Sequence, residues 1–212
     1  MLTLTQSSSE KQGSIRVRLP TVKLILAGAL LLLSVFHFVQ AAHNSRAFGF
    51  VDFPTFLAQA ELYLITGELY VDASDPDAYG PSAAVYKFPP LFAMLLLPFV
   101  RGGVTEGVYV GHWILQILLY GASAALTLTA FRRQGGAVFV FAGALFALNF
   151  EPFFETLWRL QIETPILLLL VLALLAYQRR RQPWAGVAIG VGFMLKLYPA
   201  FMLLYFAARR GW

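Results

Sequence analysis

Apolar residues in this chain come in long runs separated by short polar joins, with little strict alternation. The first run covers residues 22–42 and others follow at 88–100, 108–131, 137–150, 164–177 and 184–207. At a rise of about 1.5 Å per residue, the first run forms a helix long enough for a hydrocarbon layer of about 30 Å. The pattern predicts an all-α fold: a polytopic transmembrane helical bundle. The runs at 88–100 and 137–150 are short for a full crossing. Residues 1–20 are polar and Ser/Gln/Lys-rich, without the apolar content to build a core, and read as a cytoplasmic tail ahead of a membrane domain over 21–212. The "VQAA" at 39–42 also fits the end of a cleavable signal peptide, with Val39 and Ala41 as the small residues before the cut.

The stretch 43–87 differs. It holds six of the 11 acidic residues, Asp52, Glu61, Glu68, Asp72, Asp75 and Asp77, against Arg46 and Lys87 as strong bases. With Lys11, Arg16 and Arg18 ahead of the first run and Lys23 at its start, the positive-inside rule places this loop outside the cytoplasm. Within it, "PTFLAQAELYLITGELY" opens with a proline and repeats apolar residues at helical spacing, Phe56, Leu57, Ala60, Tyr63 and Leu64, with Gly67 as a stop. Too polar to cross, this segment predicts an amphipathic helix on the membrane surface. "VDASDPDAYGPS" reads as a loop.

The basic clusters leave two topologies open. If every run crosses, Arg132/Arg133 and 179–181 fall outside, against the positive-inside rule; if 88–100 only dips in, both clusters return to the cytoplasmic side.

Composition sharpens the class. A chain 58% hydrophobic and 13% charged exceeds the apolar content of about 45–50% of ordinary soluble domains. The net charge of +5 sits at the ends of apolar runs and forms no stripe, so its partners are membrane lipids rather than nucleic acid. Without cysteine there is no disulfide, thiolate or sulfur-ligated metal chemistry. His37, His43 and His112 lack metal-ligand spacing, and no glycine-rich phosphate loop, nucleophile elbow or HExxH motif occurs, so no cofactor is expected. No internal repeat is visible.

Three charged positions carry candidate chemistry. Asp52, in "FGFVDFPTF", is either an N-cap for the following helix or a general base at the water–lipid boundary. Lys87, just before "FPP", is either a snorkelling anchor or a point charge for a phosphate at headgroup depth. Lys196, in "GFMLKLYP", lies about a dozen residues into an apolar run, where an ionisable group needs a polar cavity or a partner; Tyr198 and Pro199 follow, the proline loosening the helix there. "WRLQIETP" brings Arg159, Gln161 and Glu163 between two runs, as a polar turn or the edge of a cavity. Arg46, Glu68 and Tyr70 are weaker candidates for substrate binding.

The order of these elements resembles glycosyltransferase family 87. It is carried by "DFPTFLAQAELYLITGELY", then "YKFPPLFAMLLLPF", and later "AGVAIGVGFMLKLYP" followed by "RRGW". The resemblance runs from about Val22 to the end. It implies a GT-C fold and an inverting transfer of a hexose, typically mannose, from a polyprenyl-phosphate donor to a lipid-linked or glycan acceptor on the outer face of the plasma (inner) membrane. It further implies Asp52 as catalytic base, with Lys87 and Lys196 as cations for the leaving phosphate.

Two departures stand out. Family members carry Gly-Gln-x-Asn where this chain has Leu160, Gln161, Ile162 and Glu163, and they are about twice as long. The chain's end at "ARRGW", directly after an apolar run, reads as an interhelical loop of a longer protein. Two competing readings are a transporter or channel component with Lys196 lining a polar path, and a non-catalytic membrane scaffold. The acid-rich external loop suits a surface active site better than a minimal transporter, and the scaffold reading predicts that replacing Asp52 and Lys87 changes nothing but stability.

Overall fold

The computed structural model describes residues 19–46, 50, 52–70 and 88–209. Lys87, the loop "VDASDPDAYGPS" and the tail at 1–18 lie outside the described residues. The regular structure among the described residues is helical: α1 (Leu19–Ser45), α2 (Phe53–Thr66), α3 (Pro90–Arg101), α4 (Glu106–Leu148), α5 (Glu151–Arg159), α6 (Glu163–Gln178), α7 (Gln182–Leu195), a 3-10 turn (Tyr198–Ala200) and α8 (Phe201–Arg209).

Around α1 the large apolar side chains point outward, Leu24 at 75% and Leu32 at 72% exposure. In water such a helix would expose a large contiguous apolar surface; in lipid it is at home. By length and composition two segments can cross a membrane, Thr21–Ser45 and Glu106–Arg159. The second is not one rod. Gly136 has φ 66° and ψ −165°, a backbone conformation open to glycine, and there the chain reverses. The Tyr120 hydroxyl donates to the Ala147 carbonyl at 2.7 Å, and a Cβ on Gly143 would stand 2.4 Å from Leu128. Residues 27 apart on a straight helix would be separated by about 40 Å. Thus α4 is a hairpin with arms 106–135 and 137–148, matching the two separate runs seen in the sequence.

The predicted surface helix forms as α2, and Gly67 ends it in the left-handed region at φ 75°. Its apolar stripe is buried against α3: Phe53, Phe56, Leu57 and Ala60 join Phe92, Ala93 and Leu96 in one core with Leu160, Ile162 and Ile166. A second core sets Phe38 of α1 against Tyr120, Phe153 and Phe154. The tight antiparallel pair α6–α7 turns at 179–181, with Arg180 at φ 58°.

The run at 184–207 is not continuous. Lys196 is extended (φ −158°, ψ 145°), ending α7, and the chain resumes through the 3-10 turn into α8. Pro199 folds back on Gly192, where an added Cβ would meet it at 3.3 Å.

One end of the molecule collects the polar groups. Trp113 donates to Ser45 Oγ at the end of α1, Gln116 donates to the Gln161 carbonyl, and Asp52 N–H donates to the Arg159 carbonyl. Phe88, just before α3, meets Lys196, while His112, in the second turn of α4, meets Phe53. Residues 88–112 therefore leave this end and return to it. The arginine turns at 132–136 and 179–181 lie at the far ends of helices that start or finish here.

Candidate active site

The site forms where the turn between α5 and α6 meets the start of α2. Leu160 ends α5 in the left-handed region (φ 51°) and is fully buried, which turns the chain so that Arg159 and Gln161 both face Asp52. Asp52 occupies the N-cap position of α2, with its carbonyl accepting from Phe56 N–H at 3.2 Å, but its carboxylate makes no cap bond. The side-chain cap expected as one reading of Asp52 is thereby corrected: the carboxylate is drawn away by stronger, charge-assisted partners. Gln161 Nε2 donates to Asp52 Oδ2, and Arg159 Nη1 lies 3.9 Å from the same oxygen. Arg159 is shared with Glu155 at 3.2 Å. Oδ1 takes no hydrogen bond from a described residue, and the side chain keeps 27% exposure.

Behind this turn stands a polar pair on α4. Gln116 is fully buried; its amide donates to the Gln161 carbonyl at 2.7 Å and contacts His112 Nε2 at 2.9 Å. The His112 ring stacks on Phe53 with centroids 4.3 Å apart. Sequence reasoning considered His112 only as a metal ligand and passed over Gln116, although two polar residues four apart in an apolar run signal a polar helix face.

Lys196 forms a second polar centre. Its ammonium binds Glu163 Oε1 and lies over the rings of Phe88 at 5.0 Å and Tyr198 at 5.9 Å. Because Gln161 and Glu163 are two residues apart, their Cα atoms are within about 7 Å, so the Asp52 and Lys196 centres are neighbours. The break at Lys196 makes this possible, since an extended residue at the end of α7 can reach across to the first turn of α6.

An apolar cavity of about 580 Å³ opens beside both centres, lined by Phe53, Ile162 and Leu195, each the neighbour of a polar site residue, and walled by α3 and α4 through Leu96, Phe99 and Leu115.

Other predicted residues are placed differently. The Tyr70 hydroxyl donates to the Phe88 carbonyl at 2.9 Å, joining the site's edge through the ring beneath Lys196. Arg46 covers the Trp113 ring at 5.5 Å and does not reach Asp52. Glu68 is exposed at the far end of α2, its N–H bound to Thr66 Oγ1. Among the described residues no cluster of three His, Asp or Glu could hold a metal ion.

Residues 86–212 match the profile of glycosyltransferase family 87. The chain belongs to that family. Its match includes the α5–α6 turn, Glu163 and Lys196, while Asp52 lies ahead of it and is joined to it by the Gln161 contact. A protein of Mycobacterium tuberculosis (strain ATCC 25618 / H37Rv), a polyprenol-phosphate-mannose-dependent alpha-(1-2)-phosphatidylinositol mannoside mannosyltransferase, is 32% identical over 141 residues, covering 59% of this chain and 32% of that protein. The chain thus spans about a third of the length of this curated relative. No solved structure matches it. As a member of family 87 with outward-facing apolar helices, the chain is a membrane protein of glycosyltransferase lineage.

Proposed function

We propose that this family 87 chain is the Asp52-bearing portion of an inverting membrane hexosyltransferase that moves mannose from a polyprenyl-phosphate donor to a lipid-linked or glycan acceptor on the outer face of the plasma membrane. The observation that carries this reading is the Asp52 carboxylate, anchored on one oxygen by Gln161 and Arg159 and open on the other. A base needs this arrangement: an orientation fixed by partners and one lone pair left for the incoming proton.

In this scheme Oδ1 takes the proton from the acceptor hydroxyl. The acceptor oxygen attacks the anomeric carbon on the face opposite the phosphate. The bond from that carbon to the phosphate oxygen breaks, and its electron pair leaves with polyprenyl phosphate. Negative charge that builds on the phosphate oxygens is met by Lys196. Lys87, which directly precedes the Phe88 ring beneath Lys196 in the sequence, is a second cation for it. The apolar cavity beside Phe53 and Leu195 suits the first isoprene units of the donor.

The placement of charge supports an orientation. With α1 crossing outward from its basic start and 88–112 returning to the same end, the arginines at 132–133 and 179–181 lie on the cytoplasmic side and Asp52 on the other, in keeping with the positive-inside rule. The family 87 match weighs against the transporter reading.

The test is sugar transfer in membranes that contain the intact protein. Radiolabelled mannose supplied as polyprenyl-phosphate mannose should appear in a lipid or glycan product. Transfer from a nucleotide-linked mannose alone, with synthesis of the polyprenyl donor blocked, would overturn the reading.

A further inference from the structure

Glu163 is bound to the cation assigned to the leaving phosphate. Its Oε1 holds the Lys196 ammonium, and its Oε2 is buried without a hydrogen bond from any described residue. Both side chains are 28% exposed, so the pair is neither fully solvated nor sealed. Lys196 is otherwise walled by the rings of Phe88 and Tyr198, which hold the ammonium in place without competing for its charge.

A carboxylate beside a phosphate-binding lysine weakens anion binding, which needs a reason. The chemistry supplies one. The donor is a phosphodiester with a single negative charge, whereas the leaving polyprenyl phosphate is a monoester approaching two negative charges at neutral pH. An unopposed lysine would hold this product more tightly than the substrate. The geometry points to Glu163 as a resident counter-ion that yields Lys196 to the phosphate as charge builds there and reclaims it afterwards, expelling polyprenyl phosphate. No covalent bond to Glu163 forms or breaks; the ammonium exchanges one hydrogen-bond acceptor for another. Glu163 is a positioning residue in this role, and the role rests on the polyprenyl-phosphate reading above.

The test compares inhibition by, and direct binding of, polyprenyl phosphate in the intact protein and its Glu163→Gln and Glu163→Asn variants. Both variants should bind polyprenyl phosphate about three- to tenfold more tightly, the scale of a half-exposed charge pair. The donor KM and kcat should fall together, because release of product becomes slower. In a Lys196→Met background, Glu163→Gln should no longer tighten binding. Direct binding needs no turnover, so the result is readable even where a variant transfers sugar poorly, and the asparagine variant covers a failure of the glutamine one to accumulate. Unchanged or weaker binding in both variants, with the parent protein binding and transferring normally, overturns the role of Glu163 alone. A parent protein that neither binds polyprenyl phosphate nor transfers from its mannosyl ester overturns the donor reading and this inference with it.

Discussion

Gln161 donates its side-chain amide to Oδ2 of Asp52 across 109 positions of sequence, tying the loop before α2 to the turn between α5 and α6. The donor's backbone is itself held, since the Gln161 carbonyl accepts from buried Gln116 at 2.7 Å. Asp52 is therefore oriented by a chain of contacts reaching into α4. We expect Gln161→Ala to lower kcat for mannose transfer about tenfold with little change in donor KM, in line with loss of one hydrogen bond to a charged group. Gln161→Glu, which sets a like charge against Asp52, should be worse. Steady-state kinetics in membranes checks both; a large rise in KM at constant kcat would make Gln161 a substrate contact instead.

Gln116→Leu removes the donor to that carbonyl and leaves it buried. A cost of about 1–3 kcal/mol is expected. In detergent this should appear as a lower melting temperature together with weaker transfer. An unchanged melting temperature would show that the α5–α6 turn stands without α4.

The absence of cysteine makes the α4 hairpin directly testable. Leu128→Cys and Gly143→Cys together should crosslink with a short bifunctional thiol reagent, since the two positions touch across the hairpin. A continuous helix would hold them about 22 Å apart and give no crosslink.

The same cysteine-free background reports orientation. Gln134→Cys, in the turn of α4, should react with a membrane-impermeant thiol reagent only after the cells are opened, and Glu68→Cys should react from outside. Labelling of Gln134→Cys from outside would reverse the proposed topology.

Much of the helical layout was legible from local signals. Gly67 stops α2 because a left-handed residue is wanted there, and the polar "RRQGG" between two apolar runs marks the α4 hairpin. The buried face of α2 was also legible from its spacing, but its partner was not: an apolar stripe shows what must be covered, whether by lipid or by protein, and here α3 covers it. The polarity of 159–163 was visible without its purpose, because the pairings of Gln161 with Asp52 and of Glu163 with Lys196 are long-range and leave no periodic trace. The break at Lys196 was half visible. Pro199 announced a weakened helix, while the extended backbone at Lys196 follows from the packing of Pro199 on Gly192. The cap reading of Asp52 failed because capping competes with charge-assisted bonds that only the folded chain supplies.

The proposed mechanism stands on Asp52 as the base. The most direct measurement is mannose transfer from polyprenyl-phosphate mannose in membranes carrying the intact protein or its Asp52→Asn variant, at matched expression. Asparagine keeps the size of the side chain and an oxygen to accept the Gln161 amide, but it cannot take a proton. The variant should lose about 10²–10⁴-fold in kcat with donor binding retained. Equal transfer by the two proteins would contradict it.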